Sequence, residues 1–488
     1  GYLVDENKWN NMNAVVDKNT YNADTDKTLK TLLAFFARVN YNWKKRYYLT
    51  VTGRFDGASH FAKNQKWGFF PSVALKWNIS KEPFMKHARQ VDNLSIRFSA
   101  GRSGNDLKAA YRSLARLNTT TTGWLFGGSQ PVAYYQDRLA SPELTWEKTD
   151  EYNLALEGSF FNSKLSFTLE GYISKTKDLL MSIQVPEHTG YGSRYGNLGR
   201  TTSSGVELTI NSRNIVKRGF SWLSTFTFAH NTSVVDALGS ESYVATRKAP
   251  AGGYMTVGYK VGYPVNSFWG FQYAGVWHNT EEVERNKVTH AFVDDNTSDS
   301  AVSSLGYPRY VDQNHDGKID NDDIVYLGSP DPVLAGGIQN TFNIHGFTIN
   351  IFFAWSLGGK VFNYSEYYMA GSRRTNQYRY MLNAWHPVMN PESDLPRAGK
   401  FDGNAMPSSF MVHDASFLRL KTVSLGYTFN LKAKWIRELN LNLSGENLWL
   451  WSTYNGFDPD CSYWGTRRYD LASYPKPMRV VFSVSLKY

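Results

Sequence analysis

The chain has 488 residues and a formal net charge of +10, with 15% aromatic and only 20% charged residues. An aromatic content this high excludes an intrinsically disordered chain, which lacks the side chains needed to build a core. Mean hydropathy is −0.45, and no stretch approaches the roughly 18 apolar residues that a membrane-spanning helix needs. A helical membrane protein is therefore excluded, whereas membrane residence of another kind is not.

Cysteine content and charge distribution narrow the classes further. The single cysteine, Cys461, excludes an intrachain disulfide framework and a cysteine-based zinc or redox motif. Because the basic residues are scattered rather than clustered, we expect no nucleic-acid partner. The positive charge fits either an anionic membrane surface or an ordinary solvated one. The first residues contain neither Met nor an apolar leader, so we expect a piece of a longer precursor.

The dominant pattern is alternation of apolar and polar residues with a period of two. Between residues 164 and 174, the apolar series Leu165, Phe167, Leu169 and Ile173 alternates with Ser166, Thr168, Glu170, Tyr172 and Ser174. The same pattern recurs in residues 347–356, 439–446 and 478–488. An all-β protein is predicted, with strands at 29–43, 46–56, 67–80, 94–103, 144–158, 164–177, 197–212, 220–232, 254–262, 265–278, 333–344, 347–357, 416–429, 438–451 and 477–488.

Two architectures produce such alternation. A soluble β-sandwich buries its apolar face in a core, whereas a transmembrane antiparallel β-barrel turns that face to lipid and its polar face to a watery lumen. The barrel is favoured because aromatic residues cluster at segment ends and because tight connections alternate with long ones. We place a tight turn at Gly262-Tyr263-Pro264, since proline cannot donate to a strand ladder. The resulting fifteen strands are an odd number, so the missing strands are expected to precede Gly1.

Several short blocks resemble, in order and spacing, the SusC/RagA-type TonB-dependent transporters of Bacteroidota. The blocks are Gly53 to Ser59, Trp67 to Ser72, Glu143 to Thr149, Gly205 to Leu208, Asp312 to Pro330, Phe417 to Lys421 and Asn447-Leu448. The resemblance spans nearly the whole chain.

The resemblance implies a 22-stranded barrel of the Gram-negative outer membrane, plugged by an N-terminal segment. Residues 1–488 are then the C-terminal part of one barrel domain, with about 15 of the strands, and the plug and first strands lie outside this chain. The implied function is TonB-dependent import of oligosaccharides or peptides. The implied partners are a SusD-like surface lipoprotein, the missing N-terminal segment, the TonB complex that contacts that segment, the cargo and the lipid membrane.

The sharpest local motif lies between residues 312 and 323. Oxygen donors occupy loop positions one, three, five, nine and twelve, with Gly317 at position six, which is the spacing of a loop that wraps Ca²⁺. The predicted ligands are Asp312, Asn314, Asp316, the backbone carbonyl of Lys318, Asp320 and Asp323. Asp323 replaces the usual glutamate, and its shorter side chain is expected to weaken the site. The alternative is a Gly/Asp-rich turn without metal.

Aromatic residues in the predicted loops are candidates for substrate binding, because flat rings stack on sugars. They are Trp124, Tyr134, Tyr135, Tyr364, Tyr367, Tyr368, Trp385 and Trp464. The same residues serve equally well to pack long loops together or to contact a partner protein. Four acids predicted to face the lumen, Glu147, Glu151, Glu157 and Glu170, either influence permeation or pair with basic residues.

Catalytic motifs are missing from the sequence. We find no nucleophile elbow, no zinc-protease motif, no phosphate-binding loop and no dinucleotide fingerprint. We therefore expect no enzyme and no catalytic residue. The remaining alternative to a transporter is a soluble or surface all-β protein that binds carbohydrate without transporting it.

Overall fold

The computed structural model of the protein describes residues 29–106, 111–121, 132–191, 193–239, 241–248, 254–281, 305–370, 376–399, 406–431, 436–463 and 465–487. In these ranges the chain is mostly antiparallel β-structure, which confirms the predicted fold class. The helices that it does contain are too short or too polar to cross a bilayer.

The strands of the described ranges, numbered in chain order, are β1 (Leu32–Trp43), β2 (Tyr47–Ala58), β3 (Trp67–Asn78), β4 (Val91–Asn105), β5 (Arg116–Thr121), β6 (Val132–Arg138), β7 (Glu147–Phe160), β8 (Leu165–Gln184), β9 (Ser193–Lys217), β10 (Phe220–Leu238), β11 (Tyr243–Lys248), β12 (Met255–Lys260), β13 (Ser267–Gly270), β14 (Tyr273–Val276), β15 (Pro308–Tyr310), β16 (Val325–Gly328), β17 (Leu334–Ile344), β18 (Phe347–Leu357), β19 (Lys360–Asn363), β20 (Val412–Asp414), β21 (Phe417–Asn430), β22 (Glu438–Ser452), β23 (Ser462–Tyr463), β24 (Thr466–Arg467), β25 (Tyr469–Asp470) and β26 (Arg479–Lys487). The α-helix α1 spans Ser365–Met369.

Thirteen of these strands form one antiparallel sheet in which each strand pairs with the next one along the chain. The order is β1-β2-β3-β4-β7-β8-β9-β10-β17-β18-β21-β22-β26, and the intervening strands belong to small sheets in the long connections. The connections alternate in length, as predicted. Tight turns such as Lys44-Lys45 and His345-Gly346 use residues with positive φ at one end of the sheet. We call that end the turn end and the opposite one the loop end.

The sheet has one apolar face and one polar face. In the ladder between β7 and β8, Leu154 pairs with Gly171 and Leu156 with Leu169, while the next pair over is Glu157 with Thr168. Paired residues share a face, so the apolar series lies on one side, which we call the outer face. Its large side chains are exposed, with Leu154 at 57% and Ile173 at 48%. Within the described ranges no second sheet packs on these side chains, so the soluble-sandwich alternative does not describe this sheet.

Aromatic side chains mark two levels of the outer face. At the turn end, Trp43 stacks on Tyr47 and Tyr47 on Trp77, with ring centroids 5.5 and 6.5 Å apart. Nearer the loop end, the Trp67 ring stacks on Phe55 at 4.8 Å and on Phe35 at 6.3 Å. Amphipathic rings at two levels are typical of a transmembrane barrel, where they lie in the two interfacial regions of the bilayer.

The prediction that residues 254–262 and 265–278 form strands of the main sheet is wrong. These residues form the short strands β12, β13 and β14, and β12 and β13 belong to a four-stranded sheet at the loop end with order β11-β12-β13-β16. A strand of four to six residues is too short for a bilayer, which needs about 9–11. The predicted turn at Gly262-Tyr263-Pro264 lies against β10, because the N–H of Val235 donates to the Tyr263 carbonyl at 3.0 Å.

The main sheet therefore holds thirteen strands rather than fifteen. Because the two misplaced strands form a pair, the direction predicted for every other strand is unchanged. The two edge strands, β1 and β26, are exposed along their whole length, and no ladder joins them within the described ranges. Exposed backbone edges are not viable in a bilayer, so the described strands alone do not form a closed barrel.

Candidate functional site

The inner face of the sheet carries a network of ionised side chains. Lys76 on β3 contacts Glu157 on β7 at 2.6 Å. Arg97 on β4 bridges Glu157 at 3.4 Å and Glu170 on β8 at 3.3 Å. These strands are neighbours and the residues share the polar face, so the charges line up across the sheet. Such a charged surface is suited to contact with water. The network includes Glu157 and Glu170, two of the four acids predicted to face the lumen.

A cavity of about 290 Å³ opens where the inner face meets the loops. Its walls combine hydroxyl and amide groups of the strands with one ion pair from the loops, and they include Tyr172, Ser203, Asn231, Ser233, Asp331 and Arg467. Tyr172 donates to Asn231 at 3.0 Å, and Arg467 contacts Asp331 at 3.3 Å. Burial raises the pKa of the Asp331 carboxyl. A polar cavity of this kind can hold a small hydroxyl- or amide-bearing group.

Three of the long loops, between β10 and β17, β18 and β21, and β22 and β26, share one aromatic core at the loop end. It brings together residues from β12, β13, β19, α1 and the last loop, namely Val257, Phe268, Phe362, Tyr364, Tyr367, Ala370, Met381, Met411 and Tyr469. Phe362 stacks on Tyr469 at 5.5 Å, and Tyr364 stacks on Tyr367 at 5.0 Å. Aromatic pairs of this kind stabilise packing beyond the area that they bury. The loops therefore form one packed layer over the end of the sheet.

Arg468 connects this layer to the main sheet. Its fully buried guanidinium donates to Ser356 Oγ at 2.6 Å and to the Gly358 carbonyl at 3.2 Å, both at the loop end of β18. Burial lowers the pKa of Arg468 to about 10, so the group is still charged at neutral pH. Gly359 makes room for it, since a Cβ there would lie 2.2 Å from Arg468 Nη1. The sequence analysis missed this residue, whose only signal is a basic pair within an aromatic loop.

A buried ion pair also holds the last loop. Arg419 on β21 donates to Asp458 at 2.6 Å, and both side chains are almost fully buried. Asp458 also accepts a hydrogen bond from the backbone N–H of Asp460 at 2.9 Å. Both charges are therefore paired, as buried charges must be. Together with Arg468, this pair fixes the loop between β22 and β26 to the sheet.

The predicted substrate-binding aromatics divide into three groups. Tyr364, Tyr367 and Trp385 are buried at 2%, 7% and 3% exposure, which favours the packing alternative for them. Tyr134 and Tyr135 on β6 and Tyr368 on α1 are exposed at 75%, 46% and 43%, so they remain accessible to a ligand or partner. Trp124 and Trp464 lie outside the described residues.

The loop from Asp312 to Asp323 is closed by its own backbone. Asp312 accepts from the N–H groups of His315 and Gly317 at 2.7 and 2.9 Å. Asp323 is fully buried and accepts from Gln313 and Asp320 at 2.7 and 2.8 Å. Across the described residues, no three His, Cys, Asp or Glu side chains converge as a metal site would require. Asn314, Asp316 and Asp320 each accept from a backbone N–H group of the same turn, so these predicted ligands are adjacent but already engaged. Lys318 lies in the same turn and donates its N–H to Asp316.

Proteins of known family have sequences similar to that of this chain. The chain is 32% identical over 497 residues to TonB-dependent receptor P26 of Formosa agariphila, a match that covers 96% of this chain and 48% of the relative. It is 29% identical to TonB-dependent receptor SusC of Bacteroides thetaiotaomicron, with coverage of 94% and 44%. The chain thus spans about half the length of these relatives.

A solved structure shares the fold. The RagAB peptide importer in its open-open state superimposes with a TM-score of 0.77 at 23% identity, covering 96% of this chain and 49% of that one. The family model described as "TonB dependent receptor-like, beta-barrel" matches residues 2–448. The resemblance seen in the sequence blocks is confirmed, and so is the predicted location in the outer membrane. The chain belongs to the TonB-dependent receptor-like β-barrel family.

Proposed function

We propose that this chain forms the C-terminal part of the barrel of a TonB-dependent importer that takes up oligosaccharides or peptides. One observation carries the proposal: the sheet turns ionised residues such as Arg97 and Glu157 to its inner face and exposed apolar residues such as Leu154 to its outer face. A wall with lipid on one side and water on the other suits a pore for polar cargo.

The resemblance to SusC/RagA-type transporters implies both cargo classes, and the RagAB structure, whose fold this chain shares, is that of a peptide importer. The polar cavity beside Tyr172 and Asp331 offers hydroxyl, amide and carboxylate groups, which hydrogen-bond sugars and peptides alike. We propose a SusD-like surface lipoprotein as partner, with the exposed Tyr134, Tyr135 and Tyr368 among its contacts, because tyrosine is enriched at interface hot spots. Energy is proposed to come from the TonB complex through the N-terminal segment of the full-length protein.

Uptake by living cells tests this function. We expect that deletion of the gene in its host abolishes accumulation of one fluorescent cargo class, either oligosaccharide or peptide, and that the full-length gene restores it. A restored strain that lacks TonB should fail to accumulate the cargo, because transport needs coupled energy. Undiminished accumulation of both classes in the deletion strain would contradict the proposal.

We also propose that the loop from Asp312 to Asp323 binds Ca²⁺. The spacing of its oxygen donors supports this, as does the contact between Asp312 and the N–H of Gly317, which bends the loop as an ion-wrapping turn requires. Binding requires Asp320 and Asp323 to turn from backbone N–H groups toward the ion. The ion would stiffen the loop and would have no part in chemistry.

A further inference from the structure

A groove of about 500 Å³ interrupts the outer face of the sheet. Its walls are the apolar side chains of four strands, namely Phe98, Tyr152, Leu154, Ile173 and Val206. The floor is Gly171, which pairs with Leu154 on one side and Val206 on the other. A Cβ at Gly171 would meet only the Gly205 carbonyl oxygen, at 3.9 Å, so the space above this residue is open. An elongated apolar group fits such a groove.

The rim of the groove includes an imidazole ring. His230 on β10 pairs with Val206 and therefore lies on the same face. Its Nδ1 lies 2.6 Å from the Val333 carbonyl oxygen, so this nitrogen carries the proton and donates. In the neutral imidazole the other ring nitrogen is an acceptor at the rim of the apolar groove. A hydroxyl group on the elongated ligand would satisfy it.

A cationic cluster lies above the groove, toward the loop end. It comprises Arg102, Lys148, Lys175 and Lys177, accompanied by Asp150 and Asp178. Arg102 contacts Asp150 at 2.6 Å, Lys177 contacts Asp150 at 3.6 Å, and Lys148 contacts Asp178 at 3.1 Å. In the part of the chain that the structure describes, Lys175 makes no ion pair and is exposed. Four cations against two carboxylates leave positive charge available for an anion.

The cationic cluster lies above the groove as a lipid headgroup lies above its acyl chains. Lys175 follows Gly171 by four residues on β8, which is about 13 Å along a strand. The charged residues are neighbours across the ladder, since Lys175 lies opposite Asp150 and Lys177 opposite Lys148. They therefore form one patch at the edge of the apolar band, with the groove directly beneath it. Asp236, two strands away on β10, takes a hydrogen bond from Thr202 and bounds the patch.

We propose that the outer face of β4 to β10 binds lipid A, the phosphorylated and acylated anchor of lipopolysaccharide, with one acyl chain over Gly171 and a phosphate at Lys175 and Lys177. Because the long loops of outer-membrane barrels are extracellular, the loop end fixes the leaflet as the external one, where lipopolysaccharide resides. Positive charge above an apolar groove matches the phosphate above the chains. The hydroxyl groups on lipid A acyl chains match the acceptor on His230, whereas glycerophospholipid chains carry none.

Lipid retention by the full-length receptor tests the proposal. The receptor is purified in detergent from outer membranes as wild type, Gly171→Leu and the double variant Lys175→Glu/Lys177→Glu. Leucine at 171 fills the groove without a backbone clash. Gly53→Leu is the matched control, because Gly53 lies on the outer face of β2 and its Cβ would meet only the Phe69 ring, at 3.6 Å. Lipid A per receptor is measured by mass spectrometry after extraction.

We expect wild type and Gly53→Leu to retain equal lipid A, and each test variant to retain at least fivefold less. Added to delipidated wild-type receptor, phosphorylated lipid A should bind more tightly than dephosphorylated lipid A or phosphatidylglycerol. Equal retention by wild type and the charge-reversal variant would overturn the proposal, as would equal binding of phosphatidylglycerol. The charge-reversal variant keeps the test decisive if Gly171→Leu does not fold.

Discussion

At the scale of single residues, the buried charges decide how the loops are held. Arg468 and the pair Arg419–Asp458 all attach the loop between β22 and β26 to the main sheet. A buried ion pair adds little net stability, but removing one partner is costly because the other charge is left unpaired. The role of these residues is therefore to fix one loop arrangement above the lumen.

Truncation of Asp458 makes this claim measurable. We expect Asp458→Ala to cost about 3–5 kcal/mol in the local stability of the last loop, because the Arg419 guanidinium stays buried without a partner. Hydrogen exchange of residues 453–478 in the full-length protein measures the effect. The control is Glu446→Ala, which breaks an exposed pair with Arg479 at 4.0 Å and should cost less than about 1 kcal/mol. Equal exchange in the two variants would show that burial of the pair is unimportant.

At the scale of elements, the sequence predicted strands well where one face is apolar and the other polar. Leu165, Phe167 and Leu169 alternate cleanly with Ser166 and Thr168, and β8 forms there. The prediction for residues 254–278 failed for a physical reason. Val257 and Phe268 are buried within the loop layer, so their apolar side chains form part of a loop core rather than of a lipid-facing strand. Gly275, at φ +88, also interrupts that segment. Periodicity cannot tell burial in a loop layer from contact with lipid.

The candidate site was less predictable than the sheet. Sequence order shows that Tyr364 and Tyr134 lie in loops, but only packing shows that the first is buried and the second exposed. The contact between Arg468 and Ser356 joins residues 112 positions apart, and no local pattern reports it. Short-range motifs such as the one from Asp312 to Gly317 are visible because the turn that they form is local.

Removal of metal tests the calcium proposal for that loop. We expect EDTA to accelerate protease cleavage between residues 279 and 332 of the full-length receptor, and added Ca²⁺ to reverse the effect, because the ion would hold carboxylates that otherwise repel. Cleavage is followed by mass spectrometry of the fragments. Asp316→Asn/Asp320→Asn should cleave at the EDTA rate in either condition. Cleavage of the wild type at one rate with and without Ca²⁺ would rule out the ion.

At the scale of the whole molecule, the main sheet of the described residues has two exposed edges and one exposed apolar face. Every residue of β1 and β26 is exposed, so both edges are open to pairing with further strands. The exposed apolar residues of the outer face suit a nonaqueous environment. A soluble protein with this surface would aggregate through its edges. The main sheet of the described residues has two open edges, and the chain spans about half the length of the relatives that it matches.

Accessibility of spin labels along β8 tests whether lipid contacts the outer face. Single cysteines replace Phe167, Leu169 and Ile173 on that face, and Thr168, Glu170 and Tyr172 on the other, in full-length receptor reconstituted into liposomes. We predict that labels on the first set collide with oxygen dissolved in lipid, and that labels on the second collide with a water-soluble nickel complex. Strict alternation along the strand is the expected result. First-set labels shielded from both reagents would place a second protein layer there and contradict the membrane barrel.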